Sequence, residues 1–207
     1  MSIYQTITNR TIQRTFTTEA YAYYNNVFTK DELEKISEIS TEIPLVDGGV
    51  QNDAIGPRVS KINHQSPNEK NKWIFDRLNQ LIMHCNLEFF NYDLIGYDSY
   101  QYAEYHAKDA GHYDYHLDLI FHGQNLDTDA IGVQTRKLSI SLLLNEPGVD
   151  FEGGEFYINT GGDINPIAEL KAGTAILFSS FLLHKVAPVT KGIRKSLVVW
   201  VTGPKFR

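Results

Sequence analysis

From Asp93 onward the chain is a succession of short apolar runs, among them Leu138–Leu144, Phe156–Asn159, Ala175–Phe178 and Lys195–Val201, each closed by Gly, Pro, Asn or Asp. Runs of that length between turn formers are strands, and a series of them folds into a barrel or sandwich. The first half reads differently. Thr29 and Glu32 form a capping box, after which Leu33, Ile36 and Ile39 recur at helical spacing. A second start signal stands at Ser66, with Pro67 at the first helical position and Glu69 placed to close the box. Ile74, Leu78, Leu81, Ile82, Cys85 and Phe89 then share one stripe, which predicts a helix from about Pro67 to Leu87 packed against a sheet. The expectation is a mainly β fold of α+β type: a helical support region over 1–92 and a β-barrel core over 93–207, together one domain.

At 207 residues the chain can bury one substantial core, and its net charge of −6 disfavours broad contact with nucleic acid. One cysteine, Cys85, allows no internal disulfide and suits a reducing cytosol, so a cytoplasmic location is expected. The first thirty residues hold no continuous apolar run, and neither a signal peptide nor a membrane span is expected. The oligomeric state is left open. His122–Thr135, rich in Gly, Asn and Asp, is the longest stretch without clear periodicity, and such a segment is either a functional lid or simply disordered.

Chemistry concentrates in Tyr113–Phe121, an aromatic-rich stretch expected to be extended. Residues two apart on a strand point to one face, so His116 and Asp118 can leave a single element as two ligands of one metal. A second histidine from another strand would complete a 2-His-1-carboxylate triad, which leaves coordination positions open and suits iron(II). His112 and Asp114 have the same spacing and parity, so the His-x-Asp pattern alone does not choose between the pairs. Near the C-terminal end His184 is followed ten positions later by Arg194, and Arg194, Ser196, Val198 and Trp200 share one face by alternation. If that face lines the barrel, the guanidinium is buried and needs an anion: a dicarboxylate ligand held bidentately, or an Asp or Glu of the protein. Adjacent Gly153 and Gly154 permit positive φ or a bulge. Trp73, Tyr97, Tyr100 and Tyr102 read as packing residues, and His64, His84, His106 and His122 carry no assigned role.

Several blocks occur together and in order: Tyr113-x-x-His116-x-Asp118, Phe151-Glu152-Gly153-Gly154-Glu155-Phe156, the Gly173 strand leading to Phe178, and His184 followed by Pro188, Val189, Thr190, Gly192, Arg194, Ser196 and Trp200. In these the segment Tyr105–Trp200 resembles the catalytic core of iron(II)- and 2-oxoglutarate-dependent oxygenases of the prolyl-4-hydroxylase type, particularly the PKHD-type hydroxylases. The resemblance implies a double-stranded β-helix, a jelly-roll or cupin-like barrel. It implies His116, Asp118 and His184 as iron ligands, and Tyr113, three residues before the first ligand, favours this pair over His112/Asp114. It further implies that Arg194 grips the distal carboxylate of 2-oxoglutarate, with Ser196 and Tyr105 as helpers. The co-substrates would be 2-oxoglutarate and dioxygen, with ascorbate a candidate addition. The implied reaction is hydroxylation of a C–H bond, of a prolyl residue in a peptide or protein or of a free small molecule, releasing succinate and CO2. An inactive binding module on the same barrel, and nucleic-acid demethylation, are the competing readings. One departure stands out: Leu143, two residues before Asn145, occupies a position where a tyrosine is common in this type.

Overall fold

The computed structural model describes residues 13–17 (backbone only), 20–49, 57–97, 99–119, 135–162, 166–167 and 170–204. Strands β1 (Gln13–Thr17) and β2 (Tyr21–Asn25) lead into helix α1 (Lys30–Thr41). The Thr29 hydroxyl accepts from the Glu32 amide, and the Glu32 carboxylate accepts from the Thr29 amide, so the expected capping box is formed. Leu33, Ile36 and Ile39 are its buried stripe. Short strands β3 (Val46–Asp47) and β4 (Arg58–Val59) and the longer β5 (Lys61–Gln65) follow, then helix α2 (Lys72–Cys85).

Two expectations need correction here. The first half is not simply helical, because β1 to β5 all fall within it and join the sheets. Their shortness, and the lack of a clean apolar alternation in segments such as Lys61–Gln65, hid them. The second helix starts at Lys72 rather than near Pro67: the Ser66–Glu69 box does not cap it. Asn68 and Asn71 instead engage each other, the Asn68 amide donating to Asn71 Oδ1 and the Asn71 amide to Asn68 Oδ1, while Asn71 Nδ2 donates to the Ser66 carbonyl. These local bonds hold the backbone in a turn before the helix, as Asn side chains do when they compete with helical bonding. The predicted stripe is otherwise correct, with Ile74, Leu78, Leu81, Ile82 and Cys85 buried. The last turn widens into a π-helical turn over Asn86–Phe90 that ends at Asn91 in the left-handed region, φ 50°.

The remaining strands are β6 (Tyr100–His106), β7 (His112–His116), β8 (Thr135–Leu143), β9 (Phe151–Gly153), β10 (Phe156–Ile158), β11 (Ala175–Ser179), β12 (His184–Val186) and β13 (Val189–Gly203). They form two antiparallel sheets. The larger runs β1-β2-β11-β8-β13-β6-β5-β3, with β9 on the N-terminal end of β13; the smaller runs β10-β12-β7-β4. This is the double-stranded β-helix expected. The helices pack on the outer face of the large sheet, where Leu138, Ile140, Leu142, Leu197, Val199 and Val201 meet Ile36, Ile74 and Leu78. A second core, including Tyr105, Leu143, Phe156, Ile176, Phe178 and Val186, lies between the sheets. Tyr100 and Tyr102 are packing residues of the helical core, as expected. The His122–Thr135 loop lies, except for Thr135, outside the described residues.

Leu78 is fully buried between α2 and the large sheet. Leu78→Ala should therefore destabilise the fold by about 2–5 kcal/mol, read as a lower urea midpoint at unchanged m-value.

Candidate metal and co-substrate site

The small sheet brings two histidines side by side. In the pairing of β12 with β7, His184 stands opposite His116, and their ring centroids are 4.1 Å apart. Each ring is oriented from behind. His116 Nδ1 donates to the Asp114 carbonyl at 2.8 Å, and His184 Nδ1 donates to the Leu182 carbonyl at 2.9 Å. A carbonyl only accepts, so both Nδ1 atoms carry a proton, and both Nε2 atoms face the common centre, where Asp118 lies. Burial and the neighbouring His184 push the His116 imidazole down to about 3, which keeps it neutral and able to coordinate.

Asp118 completes the cluster from just beyond the strand, not from within it. β7 ends at His116, and the Asp118 and Leu119 amides both donate to the Ser180 carbonyl. The chain is thereby pinned to the segment after β11 instead of continuing a ladder. Asp118 Oδ2 is 3.4 Å from His184 Nε2, and Oδ1 is 3.7 Å from His116 Nε2. The candidate ligand atoms of the three residues all lie within 4.8 Å of one another, and the three are buried. Burial would raise the Asp118 carboxyl, but His184, His116, the Ser139 hydroxyl and Arg136 outweigh it and hold it below the usual carboxylate range. Its Oδ2 has no hydrogen-bond partner among the described residues. Two imidazole nitrogens and a carboxylate oxygen without a hydrogen-bond partner among the described residues are a donor set that fits a divalent first-row metal such as iron(II).

The competing pair is not assembled. His112 Nδ1 donates to the Ala110 carbonyl in an exposed turn, and the Asp114 side chain accepts from the Tyr115 amide. Tyr113 belongs to the buried cluster: its ring stacks on His116 with centroids 3.4 Å apart, and burial pushes its phenol up to about 12.

Arg194 comes from the facing sheet. β13 runs antiparallel to β6, placing Arg194 opposite Tyr105 and Ser196 opposite Ala103. Arg194 is 1% exposed, its Cζ lies 5.7 Å from the Tyr105 ring centroid, and its Nη1 has no hydrogen-bond partner among the described residues. No carboxylate pairs with it among the described residues, so the alternative of a protein Asp or Glu partner is not what the fold supplies. Burial moves the guanidinium below its ordinary value. An unpartnered buried cation of this kind fits the distal carboxylate of 2-oxoglutarate. Tyr105 and Ser196 line the cavity that also contains His116, Asp118 and His184.

Two positioning features escaped the sequence reading or were only half seen. Asn145 Nδ2 donates to the Ile193 carbonyl while its Oδ1 accepts from the Lys195 amide, clamping β13 on both sides of Arg194. Gly153 and Gly154 both have positive φ, 75° and 66°, and a Cβ on Gly154 would come 2.8 Å from Arg194 Cδ. The glycine pair thus makes room for the guanidinium stem as well as for the turn. Arg58, Gln101, His64 and Arg136 also surround the site. Their lone positions in the sequence carried no signal. Leu143 packs between the sheets, in the same cluster as Tyr105.

Comparisons with known proteins agree with this geometry. Residues 100–202 match the model of the 2OG-Fe(II) oxygenase superfamily. A PKHD-type hydroxylase of Picosynechococcus sp. is 42% identical over 80 residues, 39% of this chain and 36% of that relative. One from Nitrosomonas eutropha is 28% identical over 181 residues, 86% of this chain and 76% of the relative. The chain's match to the Picosynechococcus relative spans only about a third of that relative's length. Among solved structures, a prolyl-4-hydroxylase from Pseudomonas putida superposes with a TM-score of 0.66 at 22% identity, over 91% of this chain and 95% of the other. A prolyl hydroxylase from Trichoplax adhaerens, in complex with a hypoxia inducible factor peptide fragment, gives 0.67 at 19% identity, over 90% and 84%. With the PKHD-type relatives and the His-Asp-His cluster in a double-stranded β-helix, residues 100–202 are identified as a 2OG-Fe(II) oxygenase domain.

Proposed function

We propose that the protein is an iron(II)- and 2-oxoglutarate-dependent dioxygenase that hydroxylates a C–H bond, with residues 1–207 acting as one oxygenase domain. The observation that carries the reading is the pairing, inside one barrel, of a buried three-ligand cluster with a buried arginine on the facing sheet that has no carboxylate partner among the described residues. His116, Asp118 and His184 would hold iron(II). Arg194 would hold the distal carboxylate of 2-oxoglutarate, with Tyr105 and Ser196 beside it. When bound, the metal, 2-oxoglutarate and dioxygen supply the oxidising chemistry, and the co-substrate leaves as succinate and CO2. The chain's own contribution is placement. Carbonyl bonds fix the two imidazoles, Asn145 fixes the strand of Arg194, and Phe156 and Phe178 pack beside His184 to exclude water from the ligands.

An inactive binding module would have no need to keep three ligands and Arg194 all in place, so turnover is the better reading. A prolyl residue in a peptide or protein is the first substrate to test, because solved structures with a similar fold include prolyl hydroxylases. Leu143 in place of the common tyrosine means that hydrogen bonding to the co-substrate differs from the usual pattern of that type.

Three outcomes test the assignment. His116→Ala and Asp118→Ala should each abolish most iron(II) binding in anaerobic titration calorimetry, whereas His112→Ala should bind like the parent. Arg194→Ala should still bind iron, but its requirement for 2-oxoglutarate should rise by a hundredfold or more, since breaking a buried charged pair costs about 3–5 kcal/mol. Gly154→Ala should weaken 2-oxoglutarate in the same direction by displacing the Arg194 stem; unchanged co-substrate affinity in both variants would remove Arg194 from the site.

A further inference from the structure

Beside the metal cluster lies a second cavity of about 270 Å3, bounded by Arg58, Arg136, Gln101 and Trp200, with Tyr113 and Asp118 at its inner end. Its two arginines are held in place by neutral groups. Arg58 Nε donates to Ser60 Oγ and Nη2 to Gln101 Oε1, both at 2.7 Å, and its Cζ sits 4.7 Å from the Tyr113 ring centroid. Gln101 is fixed in turn, its Nε2 lying 3.0 Å from His64 Nε2. Arg136 lies over Trp200, with Cζ 4.0 Å from the ring centroid, and its Nη1 reaches the Asp118 main-chain carbonyl at 3.4 Å.

Neither guanidinium forms an ion pair with a carboxylate side chain among the described residues. The nearby acids are engaged elsewhere. Asp47 pairs with Lys61 at 2.6 Å, and Asp109 lies on that same lysine's side. Glu104 points to the opposite face of β6, where it accepts from Tyr102 Oη and His106 Nε2, each at 2.8 Å. The Asp118 carboxylate faces the two histidines. The formal charges of iron(II), Asp118, a 2-oxoglutarate dianion and Arg194 cancel, so the bound co-substrate does not neutralise Arg58 or Arg136. Two guanidinium forks converge on one small cavity, neither ion-paired with a carboxylate side chain among the described residues and Arg136 alone feeling the Asp118 charge, an arrangement that a carboxylate ligand fits.

Resting on the oxygenase reading, we propose that the substrate carries a carboxylate, which Arg58 and Arg136 bind in this cavity while the carbon to be hydroxylated lies toward Asp118. The carboxylate belongs either to the free α-carboxyl end of the hydroxylated molecule or to an acidic side chain beside the hydroxylated residue. Trp200 closes one wall and gives the binding event a fluorescent reporter; Trp73, the other tryptophan, packs on Phe28 away from the cavity.

The test is a fluorescence titration of protein loaded with zinc(II) and saturating 2-oxoglutarate, so that Arg194 is already occupied and no turnover intervenes. The probes are N-acetyl-L-proline against its methylamide, and acetylated, amidated peptides Gly-Pro-Glu against Gly-Pro-Gln. Each source of carboxylate thus has a neutral counterpart. The expected result is at least a tenfold preference for one carboxylate probe over its neutral partner, weakened by salt. Arg58→Gln and Arg136→Gln should lose that preference, and Arg136→Lys should keep part of it. Equal binding of charged and neutral probes by the parent, or no binding of any carboxylate, overturns the proposal. Succinate formation from 2-oxoglutarate by the iron-loaded parent without substrate is followed separately: its absence counts against the oxygenase reading, and its presence alongside equal probe binding counts only against the carboxylate receptor.

Discussion

The long strand β13 is the member on which both halves of the architecture depend. It pairs with β6 along one edge and β8 along the other, and its N-terminal end pairs with β9. Side chains on a strand alternate faces, so one stretch of sequence serves two environments. Leu197, Val199 and Val201 enter the core under the helices, while Arg194 and Ser196 enter the space between the sheets. A slip of one residue would exchange the two sets, placing a guanidinium under α2 and leucine and valine in the polar cavity. The apolar face therefore enforces the register that puts Arg194 where an anion can reach it. Asn145 adds a local lock to the same strand.

The interior that results is electrostatically incomplete without a ligand. Among the described residues, Asp118 is buried with one oxygen lacking a hydrogen-bond partner, and Arg194 is buried with Nη1 lacking one. Leaving a charged group buried without a counter-charge costs several kcal/mol, and folds tolerate this at sites where something binds. Each deficit has the sign of a different missing component, a cation at Asp118 and an anion at Arg194. Binding both would convert two destabilising burials into paired ones, so metal and co-substrate should raise the stability of the native state as well as equip it for chemistry.

How much of this the sequence disclosed depended on whether the signal was local. The Thr29 capping box and the Ile74, Leu78, Leu81 stripe are contained in a few turns of helix, and the structure reproduces them. The Ser66 box was equally local yet lost to the Asn68 and Asn71 side chains, because two competing local motifs overlapped and spacing does not rank them. The strands before α2 were invisible for another reason: pieces as short as Val46–Asp47 have no period to detect and exist only because a neighbour pairs with them. At the site, alternation left His112/Asp114 and His116/Asp118 equal; the ordered blocks of the family resemblance singled out His116, Asp118 and His184, whose candidate ligand atoms the fold does bring together. Asp118, however, is held by the Ser180 carbonyl and not by the strand, which parity alone did not foresee. Arg58 and Arg136 come from segments 78 positions apart, and only the closed barrel brings them together.

The two sheets divide the chemistry between them. The small sheet supplies both histidines from paired positions on β7 and β12, and the large sheet supplies Arg194 with Tyr105 and Ser196. Facing sheets lie roughly 10 Å apart, so a ligand gripped by the metal at one end and by Arg194 at the other would tie the sheets together. The helices on the outer face of the large sheet keep that sheet rigid, whereas the small sheet is built from strands of two to five residues and has no helix behind it among the described elements. A bridging co-substrate would consequently order mainly the small sheet and the strand carrying His116. The cavity of Arg58 and Arg136 joins the same two layers, Arg58 lying on the small sheet's β4 and Arg136 on the large sheet's β8. A substrate anion held there would act in the same direction as the co-substrate. Each ligand would then be favoured by the inter-sheet order the other has already imposed, which is a physical route to ordered binding without a dedicated moving part.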